Sequence, residues 1–198
     1  MPPLKAINTI KKTGQETFSE SNKVLDFKLL DFWSWSQSSL MDNTLRGILA
    51  EYIVKQALEI ESGTRTEWDS YDLETHNGIK IEVKSAAYLQ SWKQSEFSKI
   101  SFGIAPTKSW DEKKHEYLPE IKRQADYYVF CLLHYKEKRT VNPLKLEQWS
   151  FYVLPTSVLN EHKKEQKQIT LNSLLKLNPT KCGFNYIKEA IKQQTQTG

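Results

Sequence analysis

Two cysteines in 198 residues are too few for a disulfide framework. Cys131 lies inside an apolar run and Cys182 near the C-terminus, a placement without zinc-ligand spacing, so a reducing cytoplasmic setting is the expectation. Long hydrophobic runs are missing as well. The N-terminus, Met-Pro-Pro-Leu-Lys-Ala-Ile-Asn-Thr-Ile-Lys-Lys, lacks the apolar core of a signal peptide, and no stretch approaches the length of a membrane span. No membrane partner is expected. The four histidines, His76, His115, His134 and His162, are scattered and form neither a zinc set nor a triad. There is no G-x-S-x-G elbow, no Walker A loop and no dinucleotide glycine fingerprint, which removes support for other hydrolases on an α/β scaffold. Internal repeats are absent too. The net charge of +4 is mild: it favours a phosphate backbone as partner without establishing one.

What is present suits one domain with a sizeable core, at 38% hydrophobic and 26% charged residues. Residues 1–23 are polar and weakly patterned and read as a mobile arm with at most a short helix; residues 24–198 read as a single domain. The organising stretch is Asp72 to Lys84, two short strands joined by a turn. On the second strand Ile79, Ile81 and Val83 point one way and Lys80, Glu82 and Lys84 the other. A two-residue Asn77-Gly78 turn would place Leu73 opposite Glu82. A three-residue loop of His76, Asn77 and Gly78, closed by a left-handed glycine, instead pairs Thr75 with Ile79, Leu73 with Ile81 and Asp72 with Glu82. The second register is preferred because it gathers Tyr71, Leu73, Ile81 and Val83 on one apolar face and sets Glu74 opposite Lys80. Two carboxylates so opposed repel unless a cation compensates, and oxygen ligands suit magnesium or manganese.

An Asp followed about ten residues later by Glu-x-Lys in a β-hairpin resembles the active-site signature of the PD-(D/E)XK nuclease superfamily. The resemblance covers Asp72, Glu82 and Lys84, with Tyr71 where the namesake proline often stands. It implies a restriction-endonuclease-like α/β (α+β) fold, a central mixed sheet with flanking helices. It implies a Mg2+-dependent (or Mn2+-dependent) nuclease acting on DNA. Asp72, Glu82 and the Val83 carbonyl would then bind the metal, and Lys84 would serve the attacking water and the charge developing on phosphorus. In that superfamily a glutamate on the first core helix reaches the same metal, and a glutamine a few residues beyond the lysine helps hold water or phosphate. Glu51 and Gln90 match those positions. A non-catalytic nucleic-acid-binding protein on the same fold is the alternative. RNA as substrate, and a homodimeric state, stay open.

The remaining pattern gives the order of elements. Asp42 to Leu58 reads as a helix, capped by Asp42, Asn43 or Thr44, with Leu45, Ile48, Leu49, Tyr52, Ile53 and Leu58 as its apolar stripe and Glu51 on the stripe's flank. Arg46 is a candidate for a phosphate, and Gly47 for the close approach of a strand. Val24 to Trp35 carries so many large side chains that it reads as an apolar lid on the core, with stacking of its tryptophans on bases as the other reading. Tyr88, Gln90 and Trp92 share a face if their segment stays extended. Ile100–Ile104 reads as a short strand, and 106–120 as a charged loop whose Lys108, Lys113 and Lys114 suit nucleic acid. Asp126 to Leu133 reads as a central strand covered on both faces, Trp149 to Leu154 as the next, stopped by Pro155 and followed by a helix that Thr156 or Ser157 can cap.

Overall fold

Seven consecutive apolar and aromatic residues, 127–133, offer water no polar face, so they are stable as a strand only with both faces covered. The computed structural model describes residues 7–61, 63–65, 70–111 and 116–196. In it this run is strand β8 (Tyr127–Leu133), with all seven side chains buried at the centre of a five-stranded sheet. The sheet runs β11 (Thr180–Cys182), β9 (Trp149–Pro155), β8, β4 (Lys80–Ala87), β3 (Leu73–Glu74). The β4–β8 pair is parallel and the other three pairs are antiparallel, which makes this a mixed α/β architecture.

Alternation along the strands divides the core in two. One face carries Ile81, Val83, Val129, Cys131 and Phe151. It is covered by α2 (Asn43–Ala57) through Ala50, Ile53 and Val54, and by α5 (Ile187–Gln196) through Ile187, Ala190 and Ile191. The other face carries Ala86, Tyr128, Phe130, Tyr152 and Leu154, packed against Phe102, Leu159, Ile169 and Leu174. Those four come from β5 (Ser101–Gly103), α3 (Thr156–Lys163), β10 (Gln168–Thr170) and α4 (Leu171–Leu175), and β5 pairs with β10 as a small separate sheet. Phe130, Phe151 and Phe102 are each at most 2% exposed; burying a side chain of that size stabilises by roughly 2–3 kcal/mol.

Several expectations are corrected by packing. The buried face of α2 is Arg46, Ala50, Ile53 and Val54, while Tyr52 is 56% exposed. The sheet, not the helix's own apolar count, decides which face turns inward. At Gly47 an added Cβ would meet open space, so no strand approaches there. In the charged segment 106–120 the described residues are not an irregular loop: β6 (Thr107–Asp111) pairs antiparallel with β7 (Glu116–Lys122). Beyond Ala87 the chain leaves the strand, so Gln90 is buried while Trp92 is 54% exposed, and the two share no face. Helix α3 begins at Thr156, but no side chain caps it.

The chain divides into two compact units, Leu40–Glu61 with Thr66–Gly198, which holds the sheet, and Met1–Ser39 with Ser62–Arg65. In the second of these, residues expected within a mobile arm form β1 (Thr17–Glu20), paired antiparallel with β2 (Lys23–Lys28), and the rings of Phe18 and Phe27 pack at a tilt with centroids 4.6 Å apart. Helix α1 (Leu29–Ser36) follows and buries none of its residues; Trp35 is 84% exposed. Trp33 lies against Gly14, where a Cβ would come within 3.1 Å of the indole. Among the described residues no helix is long and apolar enough to cross a membrane.

Candidate functional site

Turn chemistry sets the site. Gly78 has φ +78°, a conformation that costs glycine little and other residues about 1 kcal/mol. The loop of His76, Asn77 and Gly78 closes with Gly78 N–H donating to the Thr75 carbonyl and Thr75 N–H to the Ile79 carbonyl. Leu73 then pairs with Ile81 and Glu74 with Lys80, the three-residue-loop register. Tyr71 departs from expectation. With β3 only two residues long, Tyr71 precedes regular pairing; its hydroxyl meets Glu74 and the Lys80 ammonium sits 5.0 Å from its ring centroid, so it stands among charges rather than in the core.

Asp72 donates its N–H to the Ile81 carbonyl, and its Oδ2 accepts from Val83 N–H at 2.7 Å. A strand residue's N–H and C=O leave on the same side, so the Val83 carbonyl also faces the edge where Asp72 stands. Glu82 and Lys84, two residues apart on the opposite face of β4 from the Ile81–Val83 core, form an ion pair at 2.5 Å with side chains 19% and 31% exposed. Burial, then the charge of Glu82, raises the Asp72 carboxyl to about 7 against the pull of Lys84 and the Val83 hydrogen bond; Glu51 adds to the rise. Burial alone would lower the Lys84 ammonium, but Glu82, Asp72 and Glu51 outweigh it and the net direction is upward. Glu51, half-buried on α2, thus stands within electrostatic reach of both.

Among the described residues no three His, Cys, Asp or Glu side chains converge as a ready-made metal cluster. The donor chemistry nonetheless fits a hard divalent cation: three carboxylates and a main-chain oxygen, all oxygen. A carboxyl raised by burial and by a neighbouring carboxylate also marks a place where added positive charge is favoured.

The other candidates stand elsewhere. Gln90, 8% exposed, donates to the Ala87 carbonyl and to Ser98 Oγ, and receives Arg46 Nη1 at 3.5 Å. Arg46, 4% exposed, spends its guanidinium on the Met41 carbonyl, Asn43 Oδ1 and Gln90. Lys108 is exposed on β6, whereas Lys113 and Lys114 lie outside the described residues. Tyr128, read in sequence only as part of a core strand, is the residue that β8 sets directly beside Glu82. Burial, then Glu82, pushes its phenol upward. Nothing local in the sequence marks it, because the parallel register is a long-range property.

A family model described as bacteriophage T4 endonuclease IV matches residues 7–173. A search of curated proteins finds no match.

Proposed function

The chain belongs to the bacteriophage T4 endonuclease IV family, and we propose that it is a metal-dependent endonuclease hydrolysing DNA phosphodiester bonds at the β3–β4 hairpin. The observation that carries this reading is the hairpin geometry: one odd-length turn sets Asp72 Oδ2 on the Val83 N–H at 2.7 Å, beside the Glu82–Lys84 pair, where burial and Glu82 raise its carboxyl and Glu51 of α2 adds to the rise. All four residues fall within the family match.

Asp72, Glu82 and Glu51, with the Val83 carbonyl, are the residues that would hold magnesium or manganese, which supplies positive charge for the phosphate and the leaving oxygen. In hydrolysis a water oxygen bonds to phosphorus, the bond to the leaving oxygen breaks, and that oxygen takes up a proton. Lys84, held protonated by its carboxylate neighbours, is suited to facing the charge that develops on the phosphoryl oxygens and to orienting the water, more than to removing a proton. The buried hydrogen bonds of Gln90 and Arg46 support a bracing role for both, fixing the chain that leaves β4. Lys108, on the exposed hairpin, is assigned to the DNA backbone. The fold belonging to this reading is restriction-endonuclease-like of the PD-(D/E)XK type. Its support is the order of α2, the β3–β4 hairpin, β8 and β9, with a mixed sheet between helices.

Cleavage of single- and double-stranded DNA with magnesium, and with chelator, is the test. Asp72→Asn and Glu82→Gln are each expected to lose about 100-fold or more in rate while keeping the far-UV spectrum of the wild type. Equal rates in Asp72→Asn and wild type would remove the catalytic assignment. A wild type that binds DNA and never cuts it would leave the non-catalytic binding protein.

A further inference from the structure

Past the end of β4 the chain presents aromatic rings to solvent where a polar turn would have sufficed. Trp92 is 54% exposed and Phe97 48% exposed, and Tyr88 packs edge-on to Phe97 at 6.3 Å. The connection after β8 closes over them: the Lys136 ammonium sits 4.3 Å from the Tyr88 ring centroid and 5.2 Å from that of Phe97, and Lys138 Nζ donates to the Trp92 carbonyl at 2.5 Å. Residues 88–99 and 134–139 together carry five lysine and arginine side chains, all exposed, against two glutamates. Half-exposed apolar rings are unfavourable in water; the excess of cations around them favours a polyanionic partner, and the flat rings favour one that itself has flat faces to stack.

We infer that this surface is a second grip on the nucleic acid: a base free to leave its stack lies on Trp92 and Phe97, while Lys136 and Lys138 meet the adjoining phosphates. The inference rests on the endonuclease reading of the hairpin and says where the strand goes on leaving it. Ala87, where β4 ends, lies three residues beyond Lys84, roughly 10 Å at the rise of a strand, and the rings follow it, so the stacked base belongs to a nucleotide a short way along from the scissile phosphate. Stacking is indifferent to base identity and gives affinity rather than sequence choice. Oligonucleotides too short to span both places are therefore expected to bind more weakly than longer ones.

The test measures fluorescence anisotropy of labelled oligodeoxynucleotides of increasing length, using full-length Asp72→Asn protein so that no cleavage occurs. Adding Trp92→Ala and Phe97→Ala together is expected to weaken binding of the long probe about tenfold and to abolish the gain that length gives. Lys136→Glu with Lys138→Glu is expected to flatten the dependence of log K on log salt by about 1.4. The same protein with Asp72 restored reports cleavage separately, so a dead hairpin and a wrong surface give different results. Long-probe affinity unchanged by the aromatic pair, or no binding of any length, overturns the inference. Loss on charge reversal alone, with the aromatic pair silent, overturns it equally, because charge without stacking is not this site.

Discussion

At the scale of a residue, Asp72 is the group whose state the rest of the site depends on. Burial, and then the charge of Glu82, raises its carboxyl from 3.8 to about 7. The folded protein therefore holds a proton there that the unfolded chain has already lost. Its stabilising contribution is complete below about pH 4 and disappears as pH rises through about 7. In chelator, Asp72→Asn is expected to be more stable than wild type by about 2 kcal/mol at pH 8, and no more stable below pH 4. Asparagine keeps an oxygen for the Val83 N–H, so the comparison isolates the charge. Urea unfolding at the two pH values reads it. A difference that does not change with pH would mean that Asp72 carries no buried charge.

Among elements, the β3–β4 hairpin has the most to lose from a small change. Its side-chain period is two, so one residue added between His76 and Gly78 would turn one strand over relative to the other and carry Asp72 away from Glu82. Such an insertion is expected to abolish magnesium-dependent cleavage while leaving the β8–β9 core folded, as near-UV spectra and activity on the same samples would show. Gly78→Val, which forces a branched side chain to φ +78°, is expected to cost 1–2 kcal/mol, read as a lowered urea midpoint. This hairpin was legible in the chain because alternation, the glycine and the charge pairing of Glu74 with Lys80 all point to one register. The face of α2 was legible in part: Ile53 and Leu58 are buried and Leu49 packs on the core, as the apolar stripe implies, but Tyr52 turns to solvent while Arg46 and Ala50 turn inward. The β6–β7 hairpin was hidden for a related reason: its ladder is closed by main-chain bonds, and residues such as Lys108, Tyr117 and Ile121 are left to solvent, so no apolar alternation announces it.

For the molecule as a whole, the doubly covered strand and the order of helix, hairpin and strands could be read from hydrophobic pattern, because each buries a face that local sequence encodes. The pairing of β4 with β8 could not. Parallel neighbours are joined here through β5, β6 and β7 rather than through a crossover helix, and that choice leaves no local mark. Yet this pairing places Tyr128 beside Glu82 and keeps β4 between a buried strand and a two-residue edge strand, which is why the carboxylates are half-buried and still reachable. On the proposed reading, these acidic groups share one cation. Crystals soaked in manganese and measured for its anomalous signal would show that cation. A single strong peak between the side chains of Asp72 and Glu82, lost in Asp72→Asn crystals, is the expected result; a hairpin with no peak at saturating manganese, in a protein that still cleaves DNA, would contradict it.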